Sequence, residues 1–280
     1  MRNLLTENFK TVKIDVSNQW VTLWLNRPEA KNSISEKMLS ELMILFDFIG
    51  SDKTIRGITL RGSGKCFCAG ADLKEFREHF VTSKKSYAAI VQMNKKVGLL
   101  FKRAYTLPQL LVAVVEGPAF AGGLGLVCCA DFVFATNDAI FSISETRIGL
   151  APAQIAPYII DRIGKRNAKK LMLIGESLNA FDAKSVGLVD QTFENDKSLS
   201  NYLQKFRETF NKSAPRAAAI TKQIVVEIDT IEPSKQLNYL ARKFADCAQS
   251  EEAQEGISAF FEKKQPNWVK SNYDKKNKNI

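Results

Sequence analysis

The chain has 280 residues, of which 45% are hydrophobic and 25% are charged, a balance typical of a globular protein that buries a large core. No stretch is apolar over the roughly 20 residues needed to cross a bilayer, and the amino-terminal residues lack the apolar centre of a secretory signal. We therefore expect a cytoplasmic protein without a membrane segment.

The formal net charge of +10 has two interpretations. Lysines can simply keep the surface hydrated, and the polar basic tail at residues 269–280 supplies four of them. Alternatively, basic groups meet the phosphates of a ligand or of RNA. We do not expect nucleic acid as a partner, because the sequence has no known RNA-binding motif and no basic run mixed with aromatic residues.

Five cysteines and one histidine do not predict a metal site. Cys66 and Cys68 are one residue apart, and no second pair or histidine completes a zinc ligand set. Most of the cysteines lie in apolar, glycine-flanked runs, so we expect reduced core thiols. The single histidine, His79, lies in a charged helical stretch, which argues against a histidine-based triad within this chain.

In chain order, hydrophobic periodicity predicts alternating strands and helices. Residues 12–25 alternate apolar and polar side chains around Asn18 and Gln19, which predicts a β-hairpin. A helix with Ser35 as its cap is then predicted up to Ile49. The further predictions up to residue 142 are a strand at Gly57–Arg61, a helix from Asp72, a helix at Ser83–Leu107, a strand at Leu110–Val115, a helix leading to Asp131, and strands at Phe132–Ala135 and Ala139–Ser142.

After Ala156 the pattern is mostly helical. The predicted helices are Arg166–Leu173, Asp182–Gly187, Leu199–Ser213, Ala217–Ile231 and Pro233–Phe261. Repeated strand–turn–helix units favour an α/β fold with a parallel sheet and helical crossovers. We divide the chain into a core at residues 1–195, a helical region at 196–268 and a tail at 269–280.

Two turns rich in small residues each lie between a predicted strand and a predicted helix. The first is Ala69-Gly70-Ala71, and the second runs from Gly117 to Gly125. Small residues let backbone amides come close to a ligand. Two such turns can direct two amide N–H groups at one oxygen atom.

Six sequence blocks resemble the enoyl-CoA hydratase/isomerase (crotonase) superfamily and occur in that family's order. They are Asn26–Asn32 (NRPEAKN), Cys68–Leu73 (CAGADL), Gly117–Gly123 (GPAFAGG), Ser144–Pro152 (SETRIGLAP), Ala183–Val189 (AKSVGLV) and Ser250–Gly256 (SEEAQEG). The resemblance implies a crotonase-like spiral of β-β-α units with a carboxy-terminal helical trimerisation region. It also implies a homotrimer or a dimer of trimers.

The resemblance implies chemistry at the α carbon of an acyl-CoA thioester, with no metal and no cofactor, because coenzyme A is part of the substrate. The backbone amides of Ala71 and Gly122 match the oxyanion donors that stabilise the developing enolate. Glu145 matches the acid/base carboxylate, and a raised pKa would suit it to proton transfer. The alternative for Glu145 is an exposed carboxylate paired with Arg147.

The chain departs from the family at Gly125, where many hydratases carry a second glutamate. One glutamate suffices for Δ3,Δ2-enoyl-CoA isomerisation. Residues 122–126 and 150–157, however, look most like bacterial hydratases of 3-methylglutaconyl-CoA and isohexenylglutaconyl-CoA, whose substrates carry a distal carboxylate. We therefore expect a glutaconyl-type hydratase in which Gln154 and Arg147 are candidates for holding water or that carboxylate. The alternative is that Gln154 is a polar loop residue and Arg147 a cation beside a helix. The alternatives are an isomerase and a non-catalytic relative that binds acyl-CoA or RNA.

Further positions match the family's substrate and coenzyme A contacts, several of them made through the backbone. These are Ala30, Lys31, Ala69, Asp72, Leu73, Gly123, Gly125 and Lys263. Lysine contacts to phosphate are point-charge interactions that salt weakens. The alternative for Lys31 is a solvated surface side chain.

Overall fold

The computed structural model describes residues 8–83 and 85–269. The chain divides into two compact units, and the division falls between Ser200 and Asn201. The boundary predicted from the sequence lies between residues 195 and 196. Except for Val269, the predicted tail lies outside the described residues. Within the described ranges, every helix is too short or too polar to cross a bilayer.

The first unit is built on two β-sheets. The strands are β1 Val12–Ser17, β2 Trp20–Leu25, β3 Gly57–Gly62, β4 Leu110–Val115, β5 Pro118–Phe120, β6 Phe132–Thr136, β7 Ile140–Ser142, β8 Ser177–Asn179 and β9 Gln191–Phe193. Six form a sheet in the order β1-β2-β3-β4-β6-β9, and the other three form a sheet in the order β5-β7-β8. Pairing is parallel except at β1–β2 and β7–β8.

The helices follow the strands in the first unit and make up most of the second. They are α1 Glu36–Ser51, α2 Leu73–Arg77, α3 Tyr87–Tyr105, α4 Gly122–Cys128, α5 Ala156–Ile174, α6 Ala180–Ser185, α7 Asp196–Phe210, α8 Pro215–Glu227, α9 Pro233–Ala248 and α10 Glu251–Phe261. The boundary between the units falls within α7. Short 3-10 helices lie at Pro28–Ala30, Glu145–Ile148 and Ile228–Thr230, and a π-helical turn follows α2 at Glu78–Thr82.

Burial of the central strands explains why they are nearly continuous apolar runs. In β4, residues 111–115 are completely buried, and so are Ile58 and Leu60 of β3. Parallel strands at the centre of an α/β sheet are covered on both faces, so their side chains need not alternate. The rigid sheet fixes where each strand ends, and the loops that follow β3 and β4 carry the two glycine turns.

Several predicted elements are confirmed and others are corrected. The hairpin turns at Asn18 and Gln19, both with positive φ, and Ser35 caps α1 by accepting the N–H of Met38 at 3.2 Å. The helix predicted from Ser83 begins at Tyr87, because Ser86 supplies its cap. The helix predicted over 233–261 is two helices, since Ser250 caps α10 through the N–H of Ala253. Strands β5, β8 and β9 were not predicted.

Candidate active site

The two glycine turns lie against each other in the first unit. Phe120 donates its N–H to the carbonyl of Cys68 at 2.8 Å. A Cβ atom on Gly70 would lie 2.7 Å from the Cβ of Ala121, and one on Gly123 would overlap the Cys68 carbonyl oxygen. Glycine at both positions therefore permits the close approach of the two backbones, and Gly70 also has a φ of +93°.

Each turn contains one of the two backbone amides predicted to bind a ligand oxygen, Ala71 in the first and Gly122 in the second. Ala71 forms a bridge with Ile34, but the two hydrogen bonds of that bridge run from Ile34 N–H to the Gly70 carbonyl and from Asp72 N–H to the Ile34 carbonyl. The Ala71 amide takes no part in them. Gly122 is the first residue of α4, and the first four N–H groups of a helix have no intrahelical partner. Within the described residues, both amides are thus able to bind a ligand oxygen.

Glu145 is half-buried at the start of a 3-10 helix. Burial raises the pKa of its carboxyl group, and hydrogen bonds from the backbone of Glu145 and Ser144 offset this effect only in part. Its Oε2 atom is buried and meets no hydrogen-bond partner in the part of the chain that the structure describes. A carboxylate of this kind is destabilising unless a ligand or water uses it, which is typical of functional sites.

The pairing of β7 with β5 places Glu145 near the second glycine turn. Strand β7 pairs with β5, and Ser142, the last residue of β7, accepts the N–H of Ala121 at 2.9 Å. Glu145 follows Ser142 by three residues, and Gly122 follows Ala121 directly. The acid/base candidate and one amide donor therefore come from adjoining strand ends.

The 3-10 helix that holds Glu145 is fixed to the end of α5. Thr146 Oγ1 donates to the carbonyl of Met172 at 3.2 Å, and Arg147 Nη2 donates to that of Ile174 at 3.3 Å. The structure thus places the Arg147 guanidinium at the carboxy-terminal end of a helix, where carbonyl groups attract a cation. That arrangement differs from the expected alternative of an ion pair with Glu145.

Position 125 has no room for a side chain. A Cβ atom on Gly125 would overlap Cγ2 of Ile155 and lie 3.0 Å from Cε1 of Phe101. These neighbours are 3% and 0% exposed. A Cβ on Gly122, one turn earlier, would meet Cζ of Phe101 at 3.8 Å, an ordinary contact. Apolar side chains therefore fill the place where, by resemblance, many hydratases carry their second glutamate.

Three of the predicted coenzyme A contacts lie together beside the first glycine turn. Ala69 donates its N–H to the carbonyl of Lys31 at 3.0 Å, and Ala30 ends the 3-10 helix just before Lys31. The Lys31 side chain is exposed, and its φ is +51°. Leu73, the first residue of α2, is exposed as well. Their contacts with a ligand stay predictions.

The Asp72 carboxylate is used within the protein. It accepts a hydrogen bond from Arg27 Nη2 at 2.9 Å and another from the N–H of Lys74 at 3.1 Å, which caps α2. Burial acts to raise the pKa of Asp72, but the Arg27 guanidinium and the Lys74 amide hold it below its usual range. The Asp72 N–H and carbonyl are hydrogen-bonded within the chain as well, to Ile34 and Phe76, and the predicted ligand contact of Asp72 stays a prediction.

Gln154 and Lys263 lie in different units. The Gln154 side chain rests on α3, where its Nε2 donates to Asn94 Oδ1 at 2.7 Å and its Oε1 takes the space that a Cβ on Gly98 would need. Lys263 follows α10 in the second unit, is exposed, and has a φ of +54°. Their predicted roles in substrate and coenzyme A binding stay predictions.

Sequence reasoning missed one polar residue that shapes the site, Asn32. It is completely buried with a φ of +53°, and its Nδ2 donates to the carbonyls of Ser63 and Cys66 at 2.9 and 2.7 Å. It joins the loop after β2 to the loop after β3. Asparagine adopts left-handed backbone more readily than most residues. An asparagine at position 32 could therefore have predicted a turn with positive φ in this loop.

All five cysteines are free, and burial raises the pKa of both Cys68 and Cys128 to about 12. Across residues 8–83 and 85–269, no group of three or more His, Cys, Asp or Glu side chains is arranged to hold a metal ion.

Known proteins resemble this chain over most of its length. The family model described as "Enoyl-CoA hydratase/isomerase" matches residues 16–271. An enoyl-CoA isomerase/hydratase of Mycosarcoma maydis is 30% identical over 257 residues, which cover 87% of this chain and 90% of the relative. A 2,3-dehydroadipyl-CoA hydratase of Escherichia coli is 31% identical over 247 residues, which cover 88% and 93%.

Solved structures agree with this result. The crystal structure of an enoyl-CoA hydratase/isomerase from Marinobacter aquaeolei matches with a TM-score of 0.88 and 32% identity, covering 92% of this chain and 99% of that chain. The predicted crotonase-like fold is confirmed, whereas trimerisation and the closer likeness to glutaconyl-type hydratases stay predictions. The chain belongs to the enoyl-CoA hydratase/isomerase family.

Proposed function

We propose that the protein is an enoyl-CoA hydratase that adds water to, or eliminates it from, the 2,3 double bond of an acyl-CoA thioester, with Glu145 as its one acid/base side chain. The observation that carries this proposal is the contrast between positions 145 and 125. At the first, a carboxylate oxygen is buried without a hydrogen-bond partner among the described residues, and apolar side chains fill the second.

In this proposal, backbone amides stabilise negative charge and one side chain transfers the proton. The amides of Ala71 and Gly122 bind the thioester carbonyl oxygen and stabilise the enolate that forms as water adds to C3. Glu145 moves the proton that C2 gains. Its raised pKa brings the proton affinity of the carboxylate closer to that needed near neutral pH.

We further propose that the substrate carries a distal carboxylate, as branched glutaconyl thioesters do. With no second protein carboxylate at position 125, the carboxylate of the substrate itself can hold or activate the water. The Escherichia coli relative supports a substrate of this class, because its name refers to a thioester of 2,3-dehydroadipic acid, which is a dicarboxylic acid.

The test follows the ultraviolet absorbance of the conjugated enoyl thioester with three substrates side by side. With 3-methylglutaconyl-CoA, absorbance should fall as water adds, and with crotonyl-CoA it should change little. Equal rates on the two substrates would remove the argument for a distal carboxylate. The third substrate, a 3-enoyl-CoA, tests the second candidate.

The second candidate is a Δ3,Δ2-enoyl-CoA isomerase. The filled position 125 favours it, since moving a proton between C2 and C4 requires one carboxylate and no water. A gain of absorbance with the 3-enoyl-CoA, and no change with either conjugated thioester, would establish isomerisation and exclude hydration.

We also propose that the protein assembles as a homotrimer or a dimer of trimers. Support comes from the second unit, in which Leu237, Phe244, Phe260 and Phe261 are 75–82% exposed. Apolar side chains as exposed as these indicate a surface that another subunit covers. Size-exclusion chromatography with light scattering tests this, and a monomer at micromolar concentration would contradict it.

A further inference from the structure

Ile155 occupies space beside α4 that a side chain at residue 125 would need. A Cβ on Gly125 would overlap Cγ2 of Ile155 and lie 3.0 Å from its Cβ. Because the overlapping atom is a methyl group attached directly to the branched β carbon, and not the end of a long side chain, small rotations do not relieve the overlap. Any residue larger than glycine at 125 therefore requires a change at 155.

The residue before Ile155 holds it in this position. Gln154 is seated on α3, with its Nε2 bonded to Asn94 Oδ1 at 2.7 Å and its Oε1 in the notch left by Gly98. On the other side, the carbonyl of Ile155 accepts the N–H of Ile159 in the first turn of α5. Ile155 is thus fixed from both directions along the chain.

Phe101 continues the apolar surface towards the amide donor. It lies 3.0 Å from the Cβ position of Gly125 and 3.8 Å from that of Gly122, which share one face of α4 three residues apart. Its ring packs against that of Tyr158 with centroids 6.1 Å apart. Phe101 therefore lies beside both Gly122 and Gly125, and Ile155 lies beside Gly125; we call these two side chains the apolar wall.

A wall of this composition offers water no partners. A bound water needs two to four hydrogen-bonding groups, and cavities lined by aliphatic and aromatic carbon stay dry. A carboxylate cannot enter from residue 125 because the space is occupied. The acidic group and the water that it would hold are excluded together.

We propose that Ile155 is the residue that determines specificity at this site. By maintaining the apolar wall, it prevents hydration of simple 2-enoyl thioesters and restricts turnover to substrates that bring their own carboxylate or need no water. This inference rests on the proposed function, because it assigns the chemistry of thioester binding to the Gly122 amide.

The test restores space and charge together. In Gly125→Glu/Ile155→Ala, the new carboxylate accepts a proton from water, the water oxygen bonds to C3, and C2 receives a proton from Glu145. Crotonyl-CoA hydration should rise about 100-fold over wild type, since general acid–base catalysis contributes factors of about 10² to 10⁴. A new acidic limb should also enter the pH–rate profile.

Three matched variants identify the cause of any gain. Gly125→Glu alone lacks space and should not gain hydration. Gly125→Gln/Ile155→Ala has the space but no carboxylate and should not gain it either. Gly125→Glu/Ile159→Ala removes the same atoms from another buried isoleucine and should behave like the single variant. A gain in any of these three equal to that of the Gly125→Glu/Ile155→Ala variant would overturn the proposal.

The outcomes separate this inference from the proposed function. Wild-type protein that turns over none of the three thioesters contradicts the proposed function. Wild-type protein that turns over one of them, combined with a folded double variant that gains no crotonyl-CoA hydration, overturns the inference alone. If thermal unfolding shows that the glutamate variant does not fold, Gly125→Asp/Ile155→Ala decides by the same criteria.

Discussion

Positions 125 and 145 differ in what surrounds them: a buried carboxylate oxygen is present at 145, and apolar side chains surround 125. At 145 a carboxylate oxygen is buried and has no hydrogen-bond partner in residues 8–83 and 85–269, and burial raises the pKa of the group. At 125 closely packed carbon leaves no room even for a methyl group. The protein thus maintains an unfavourable polar group at one position and a favourable apolar contact at the other. This difference supports the proposal that acid/base chemistry depends on Glu145 alone, and four measurements can challenge that proposal.

The largest effect is expected from Glu145→Gln, which keeps the shape of the side chain and removes its acid/base function. The kcat on the best thioester should fall by about 10² to 10⁴, while coenzyme A binding measured by calorimetry should change little. Glu176→Gln, at an exposed glutamate, is the matched control and should leave kcat unchanged. A loss smaller than tenfold in the Glu145 variant would exclude Glu145 as the acid/base.

The next effect concerns the amide of Gly122, the first residue of α4. Replacing Gly122 by glycolic acid changes the amide to an ester and deletes the N–H donor without adding atoms. Loss of one oxyanion donor lowers kcat by about 10² to 10³. The control is the α-hydroxy analogue of leucine at position 124, which removes a nearby N–H. Equal losses at 122 and 124 would show that helix stability, not ligand binding, is responsible.

A smaller effect compares alanine at the two glycines of α4. Gly125→Ala forces a methyl group into Ile155 and should lower the free energy of unfolding by about 1–3 kcal/mol. Gly122→Ala meets only ordinary contacts, and alanine costs less backbone entropy than glycine, so its stability should match or exceed wild type. Urea denaturation measures both. If Gly125→Ala proved as stable as Gly122→Ala, the apolar wall would be looser than its contacts indicate.

The smallest effect is the pH dependence of stability at Glu145. Because its pKa is raised in the folded state, Glu145 contributes stability below the ordinary glutamate pKa, and this contribution is lost as pH rises through the folded pKa. Glu145→Gln should therefore unfold at a higher temperature than wild type at pH 7. The difference should shrink below about pH 4. A constant difference across this range would mean that ionisation is not its cause.

Elements specified by local sequence were predictable. The hairpin at residues 12–25 needs only alternation and a two-residue turn, and α1 needs only a serine cap and apolar residues at helical spacing. The small-residue turns were found for the same reason, because composition alone marks them. Glu145 could be singled out as a candidate from the resemblance.

Features that depend on distant packing were not predictable. Strands β5, β8 and β9 have three residues each, too few for a period to be recognised, and they form only by pairing with strands distant in sequence: β5 and β8 pair with β7, and β9 pairs with β6. The filled space at Gly125 depends on Ile155 and Phe101, which lie in other elements. A glycine in a sequence indicates permitted close approach but does not identify what approaches.

The two amides proposed to bind the carbonyl oxygen belong to the main chain, so most amino-acid substitutions leave them in place. A codon change replaces a side chain, and among the encoded residues only proline deletes the N–H of Ala71 or Gly122. By contrast, single base changes suffice to remove the carboxylate of Glu145. Descendants of this gene can therefore lose or move their acid/base group while the two amides that stabilise a thioester enolate persist. New reactions can then arise from an anion-stabilising site that is inherited unchanged.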